Sequence, residues 1–180
     1  WSTGLIATEL HQLYAAHVYQ QPSPLAPLTV QYADYAIWQR RWLQGEVLDR
    51  QLKYWTEKLA GMETLQLPTD RPRPPVASFR GADFRFELSV EVTKKLNELC
   101  RRDGMTLFMV LLGALQIVLA RHSGQDDIAV GSAIAGRTDK QAESIVGYFL
   151  NTLVFRTRLS GDPTLRAVLA RVKDVVLEAF

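Results

Sequence analysis

Apolar residues recur along this chain with two different periods, and the switches between them outline its elements. Ser2 can cap a helix in which Ile6, Leu10, Leu13 and His17 form one stripe of a 3.6-residue period, running to about Tyr19. Pro22, Pro24 and Pro27 remove backbone donors, so residues 21–28 read as a loop or a connection between lobes. From about residue 32 to 43, Tyr35, Trp38 and Trp42 share one helical face, an aromatic surface that calls for burial against something large. A second helix carries Leu48, Leu52, Trp55 and Leu59 in register, with Gly61 as its C-terminal cap. Together these two predict an αα-hairpin.

Residues 67–75, LPTDRPRPP, are too rich in proline for a helix or a central strand and should run extended over a surface. Phe84, Phe86 and Leu88 then alternate with Arg85 and Glu87, the period of a strand with one buried face. Ser89 caps a helix whose Val92, Leu96, Leu99 and Cys100 face inward before Gly104 stops it. The helix from Thr106 to about His122 is apolar on nearly all sides, which predicts that it is sandwiched between a sheet and other helices. Residues 128–134 read as a strand buried on both faces, and residues 153–159 as another strand. Asp162-Pro163 is read as a cap with proline at the first helical position, opening a last amphipathic helix through Leu165, Val168, Leu169, Val172 and Val176. Strands and helices mixed in this order predict an α/β fold.

Composition narrows the function classes. With 47% hydrophobic and 22% charged residues over 180 positions, the chain can bury one substantial core. A net charge of +2, with both signs interspersed, gives no basic stripe for nucleic acid. Cys100 is the only cysteine, which rules out an internal disulfide framework, fits a reducing cytoplasm and reads as a small buried hydrophobe. The longest apolar stretch, residues 107–120, is interrupted by Gln116 and falls short of the roughly 20 residues of a membrane span. Trp1 follows no basic and apolar leader, so neither a signal peptide nor a natural start is visible and the chain reads as truncated.

Local chemistry names no enzyme. His11, His17 and His122 all sit in helical contexts and read as satisfied structural residues; His11 and His17 point in different directions and cannot share a metal. No serine occupies a Gly-x-Ser-x-Gly turn, and no phosphate-binding glycine loop is present. Two segments stand out. GSAIAGR, residues 131–137, puts small residues at a strand end with an arginine after them, which lets backbone or substrate approach closely. GYFLNT, residues 147–152, places a glycine, two aromatics and an Asn-Thr pair just before a strand; read alone it is a tight turn in which Asn151 satisfies local backbone.

Taken in order, these segments resemble condensation domains of nonribosomal peptide synthetases. That family carries HHxxxDG followed closely by Trp-Ser, a YxDYAxWQ helix, an FRG triplet near a strand, and a GxFxNTLxxR segment. Here Trp1-Ser2 matches the tail of the first motif, residues 32–39 read YADYAIWQ, residues 79–81 read FRG, and residues 147–156 read GYFLNTLVFR. The resemblance covers essentially all 180 residues. It implies a chloramphenicol-acetyltransferase-like two-lobed condensation fold, with residues 1–28 ending the first lobe and 29–180 forming an incomplete second lobe. HHxxxDG would lie just before Trp1 and a QDxPFE motif beyond Phe180, so the chain reads as an internal fragment, inactive by itself.

The implied reaction joins aminoacyl or peptidyl groups that arrive as thioesters on the 4′-phosphopantetheine arms of donor and acceptor carrier-protein domains. An adjacent adenylation domain would belong to the same polypeptide. No directly bound cofactor or metal and no catalytic residue is implied within the chain. Asn151 and Thr152 would border the substrate tunnel, as would Ser132, Ala133 and Arg137 by position. Trp1, Ser2, Tyr32, Asp34, Tyr35, Trp38, Arg80, Gly147 and Arg156 would support the lobe junction and motif structure. Two alternatives stay open: a non-catalytic condensation-like docking domain, and a coenzyme A-dependent acyltransferase of the same fold.

Overall fold

The computed structural model describes residues 1–137 and 139–180. Its elements in chain order are α1 (Ser2–Val18), α2 (Tyr32–Trp42), α3 (Gly45–Leu59), α4 (Val90–Asp103), α5 (Leu107–Ser123), β1 (Asp127–Ile134), α6 (Lys140–Glu143), β2 (Asn151–Arg158) and α7 (Leu165–Ala179). Packing divides the chain into two units, each discontinuous in sequence. One comprises residues 1–60 and 132–153, the other 61–131 and 154–180.

The second unit is built on α5, which packs against α4 and α7. Local chemistry fixes its helix ends. Ser89 Oγ accepts from Val92 N at 3.2 Å, and Thr106 Oγ1 from Met109 N at 3.3 Å. Gly104 closes α4 in the left-handed region, as the sequence pattern requires, and Gly124 closes α5 in the same conformation. Ile128, Phe155 and Val172 are fully buried, each contributing about 1.5–3 kcal/mol by leaving water. Cys100 is buried, as a small hydrophobe should be. Gln116, also fully buried on α5, donates from Nε2 to the Phe155 carbonyl at 2.9 Å and the Ile128 carbonyl at 3.4 Å, tying β1 to β2. These two strands form a two-stranded sheet. Leu159 N donates to Asp126 O at 2.6 Å, so the end of β2 lies beside the start of β1, an antiparallel pairing.

Several expectations are corrected. Residues 84–88 form no strand, and Phe84 and Phe86 are exposed, because no described strand pairs with them and an unpaired strand leaves its backbone to water. Only one side of α5 is covered; Leu111, Leu115 and Val118 are exposed because the sheet beneath it has two strands. β1 is not buried on both faces, since Gly131 and Ala133 are exposed. Thr164, not Asp162, caps α7 through Ala167 N at 3.3 Å. Asp162 has a φ of 48° and cannot take the extended backbone that an N-cap needs. Neither α2 nor α3 contains a buried residue, so their predicted hairpin encloses no core. The four-residue α6, capped by Asp139, is too short for a periodic signal.

The first unit has a smaller core of Ala142, Ile145 and Phe149, against which Val30 and Tyr35 pack. Trp38 and Trp42 are about half exposed and stack on each other with ring centroids 5.7 Å apart. Ile6, Leu10 and Leu13 of α1 are exposed too. No single helix among the described residues is long and apolar enough to cross a membrane.

Candidate functional site

In the first unit, the two motif segments singled out in the sequence converge with the start of α1. Ser2, at the first turn of α1, donates from Oγ to the Gly147 carbonyl at 2.8 Å and accepts from Gly147 N at 3.2 Å. The same oxygen accepts from Arg137 Nη2 at 2.9 Å. Trp1 Nε1 donates to the Glu143 carbonyl at 2.8 Å. Arg137 Nη1 donates to the carbonyls of Ala142 and, at 2.8 Å, Ile145. Its guanidinium also lies over the Phe149 ring, 4.0 Å from the centroid, and 5.6 Å from that of Trp1.

Helix α2 holds the same loop from another direction. Its first turn is fixed by Asp34, whose Oδ2 accepts from Gln31 N at 2.9 Å. That places Tyr32 so that its hydroxyl donates to the Tyr148 carbonyl at 2.8 Å and its ring meets Phe149 edge-on at 5.3 Å. Gly147 lies flush against the Tyr32 ring, where a Cβ would sit 2.8 Å from Cε2 and Cγ. Gly136, at a φ of 62°, leaves no room for a Cβ beside the Phe149 carbonyl. A cavity of about 280 Å³ opens beside this cluster, lined by Val30, Tyr35, Trp38, Ala142 and Ile145, with Asp34 and Asp139 adding carboxylates.

What faces outward is different in kind. Tyr148 is 75% exposed although its backbone is held on both sides. Asn151 and Thr152, at the start of β2, are exposed; Asn151 Oδ1 accepts from Thr152 N at 2.8 Å, and its amide NH₂ makes no hydrogen bond among the described residues. Ser132 on β1 is half-buried and Ala133 exposed. A loop presenting a phenol, an amide and a hydroxyl can bind and orient, but it carries no histidine or carboxylate.

The remaining singled-out residues belong to the second unit. Arg156 forms a bidentate pair with Asp127, Nε to Oδ1 at 2.9 Å and Nη2 to Oδ2 at 2.7 Å. The hydrogen bonds from Arg156 hold the Asp127 carboxyl below its ordinary range, with burial opposing and the nearby Arg158 charge assisting. Arg80 is exposed, and its guanidinium makes no hydrogen bond or ion pair among the described residues. All three histidines are exposed on helix surfaces, a correction to their reading as satisfied structural residues. Among the described residues no group of three or more His, Cys, Asp or Glu side chains could hold a metal ion. Sequence reasoning did not single out Phe149, the aromatic against which Arg137, Tyr32 and Tyr35 all pack; its alternation with Gly147 in GYF was the available signal.

Known proteins resemble this chain in sequence and in shape. One of the linear gramicidin synthase proteins of Brevibacillus parabrevis is 54% identical over the whole of this chain, which spans 4% of that protein's length. The crystal structure of the X-domain from teicoplanin biosynthesis superposes with a TM-score of 0.89 at 31% identity, covering 99% of this chain and 41% of the X-domain chain. The first condensation domain of the calcium-dependent antibiotic synthetase shares the fold, with a TM-score of 0.69 at 21% identity over 98% of this chain and 40% of its own. The two-lobed condensation fold is therefore the architecture to which this α/β chain contributes. With the condensation domain model matching from residue 1 to residue 180, the chain belongs to the condensation domain family.

Proposed function

We propose that this chain is part of a condensation domain that forms amide bonds between carrier-bound aminoacyl or peptidyl thioesters in a modular peptide synthetase. The observation that carries the reading is the family match over every residue, together with the rigid loop at 147–152 that it contains. In the reaction, the amine of the acceptor attacks the donor thioester carbonyl. A C–N bond forms, the C–S bond breaks, and the amine's proton ends on the released pantetheine thiol. The thioester is already activated, so the protein's contribution is orientation and proton management.

Residues 147–152 supply orientation in this reading. Asn151 and Thr152 border the tunnel, with Ser132 and Ala133 on the neighbouring strand, while Arg137 acts through the loop backbone. Residues 1–28 belong to the first lobe and 29–180 to the second. The general base lies outside these 180 residues, since His11, His17 and His122 are exposed on helices and none joins the cluster. The isolated chain accordingly has no activity. Partners are donor and acceptor carrier domains, whose 4′-phosphopantetheine arms bring the substrates, and an adenylation domain of the same polypeptide in the cytoplasm.

The test uses the synthetase that contains this chain, with its donor and acceptor carriers loaded with different aminoacyl thioesters. Intact-protein mass spectrometry should show the acceptor carrier gaining the donor acyl mass while the donor arm returns to a free thiol. Wild-type enzyme that leaves both carriers unchanged would reject amide formation in favour of a docking role. Transfer from an acyl-coenzyme A in place of the donor carrier would favour the acyltransferase alternative.

A further inference from the structure

Between α6 and β2 the chain runs through residues 144–150 without regular structure, so its backbone groups need partners from elsewhere. At Gly147 both come from one atom. A serine hydroxyl has one hydrogen to give and two lone pairs to offer. Ser2 uses all of that capacity: the hydrogen goes to Gly147 O, and the lone pairs receive Gly147 N–H and Arg137 Nη2. Because one oxygen grips the N–H and the C=O of the same residue, the peptide units on either side of Gly147 cannot turn independently. Both residues are half-buried, so water replaces these bonds poorly when the hydroxyl is removed.

The consequence lies just downstream. Tyr148 projects outward from the short stretch between Gly147 and β2, and the exposed Asn151 and Thr152 open β2 at the far end of that stretch. Tyr32 fixes the Tyr148 carbonyl between those ends, but it grips only one group and its ring tolerates the loop solely because Gly147 has no side chain. Ser2 is thus the upstream anchor that sets where the outward side chains start.

We infer that Ser2 is a positioning residue: its hydroxyl fixes the Gly147 peptide and thereby the placement of Tyr148 and Asn151 for acyl transfer. This rests on the condensation reading above. Ser2 touches no substrate, so its effect must appear in the rate of the bound complex and not in carrier affinity, because misplacement by even 1 Å can cost about a hundredfold.

The experiment compares Ser2→Ala and Ser2→Thr with wild type in the full synthetase, following single-turnover transfer and deuterium uptake of the peptide spanning 143–152. Ser2→Ala should lower kcat about tenfold or more, leave KM for the acceptor carrier within about twofold, and speed local exchange about tenfold. Ser2→Thr keeps the hydroxyl and should restore both. Wild-type kcat in Ser2→Ala, an equal loss in both variants, or a rise in KM alone would overturn the inference while leaving the condensation reading intact. Faster exchange spread evenly over residues 1–60 and 132–153 would also overturn it, because the serine would then serve the unit's stability and not the loop. If wild-type synthetase forms no amide, the condensation reading falls and the catalytic part of this inference falls with it; unaltered exchange in Ser2→Ala would dispose of the anchor as well.

Discussion

Replacing Gly147 with alanine adds one methyl group at a crowded point of the first unit. The glycine's φ lies outside the left-handed region, so alanine meets no backbone penalty and the whole effect comes from space. A Cβ there would sit 2.8 Å from Cε2 and Cγ of Tyr32 and closer still to Cδ2, all in a rigid ring. The ring must move, which breaks the Tyr32 hydroxyl's bond to the Tyr148 carbonyl and the edge-on contact with Phe149. Overpacking costs about 1–3 kcal/mol, and the bond and ring pair about 1 kcal/mol each. The chain's reduced freedom when unfolded returns about 0.4–1 kcal/mol. The balance is a loss of about 2–4 kcal/mol, or about 1–2 M in urea midpoint for an m-value near 2 kcal/mol/M. Trp1, Trp38, Trp42 and Trp55 all lie in this unit, so tryptophan fluorescence during urea unfolding reports on it directly. In a Tyr32→Ala background the added methyl meets no ring, and the same substitution should cost less than about 0.5 kcal/mol. Equal losses in both backgrounds would refute the steric argument.

Two further outcomes follow from the second unit. Asp127→Asn removes the charge from the pair with Arg156 and should destabilise the chain by about 1–3 kcal/mol at neutral pH in chemical denaturation. Because the folded-state pKa of Asp127 is depressed, that stability is complete above the unfolded value of about 3.9. It is lost as pH falls through the lower folded value, so variant and wild type should converge as the pH drops past it; a constant gap across the acid range would contradict the pairing. Phe155→Ala empties a fully buried site against Phe108 and should cost about 3–5 kcal/mol in the same measurement, whereas a loss under 1 kcal/mol would show that the site is not packed as described.

The parts of the fold legible in the sequence were those decided within a few residues. Ser89 and Gly104 mark the ends of α4, and Thr106 the start of α5, because a cap is a contact between near neighbours. Phe84 and Phe86 show the opposite limit: alternation says which side chains share a face, but a strand also needs a partner, and none among the described residues provides one. The exposed side of α5 has the same origin, since an apolar stretch cannot state how many strands will lie on it. At the candidate site, GYFLNT and the arginine of GSAIAGR were visible as unusual segments. Their holding bonds were not, because the Ser2 contact with Gly147 spans 145 positions and the Tyr32 contact with Tyr148 spans 116. Arg137, proposed from sequence as a tunnel residue, has both terminal nitrogens engaged with Ser2 and with loop carbonyls, an arrangement no spacing rule reveals.

The knot of contacts that joins residues 1 and 2 to residues 137–147 also sets a clock during synthesis. A ribosome adding about 5–20 residues per second needs about 7–30 s to go from Ser2 to Gly147. Throughout that interval α1 lacks its anchoring loop. The stretch 61–131 is released in the meantime, yet its own core also waits, because Phe155 and Val172 come later still. Neither unit can therefore complete itself before residues 132–180 are made. Slowing translation across residues 61–131 would lengthen the time α1 spends without that loop while completing neither unit.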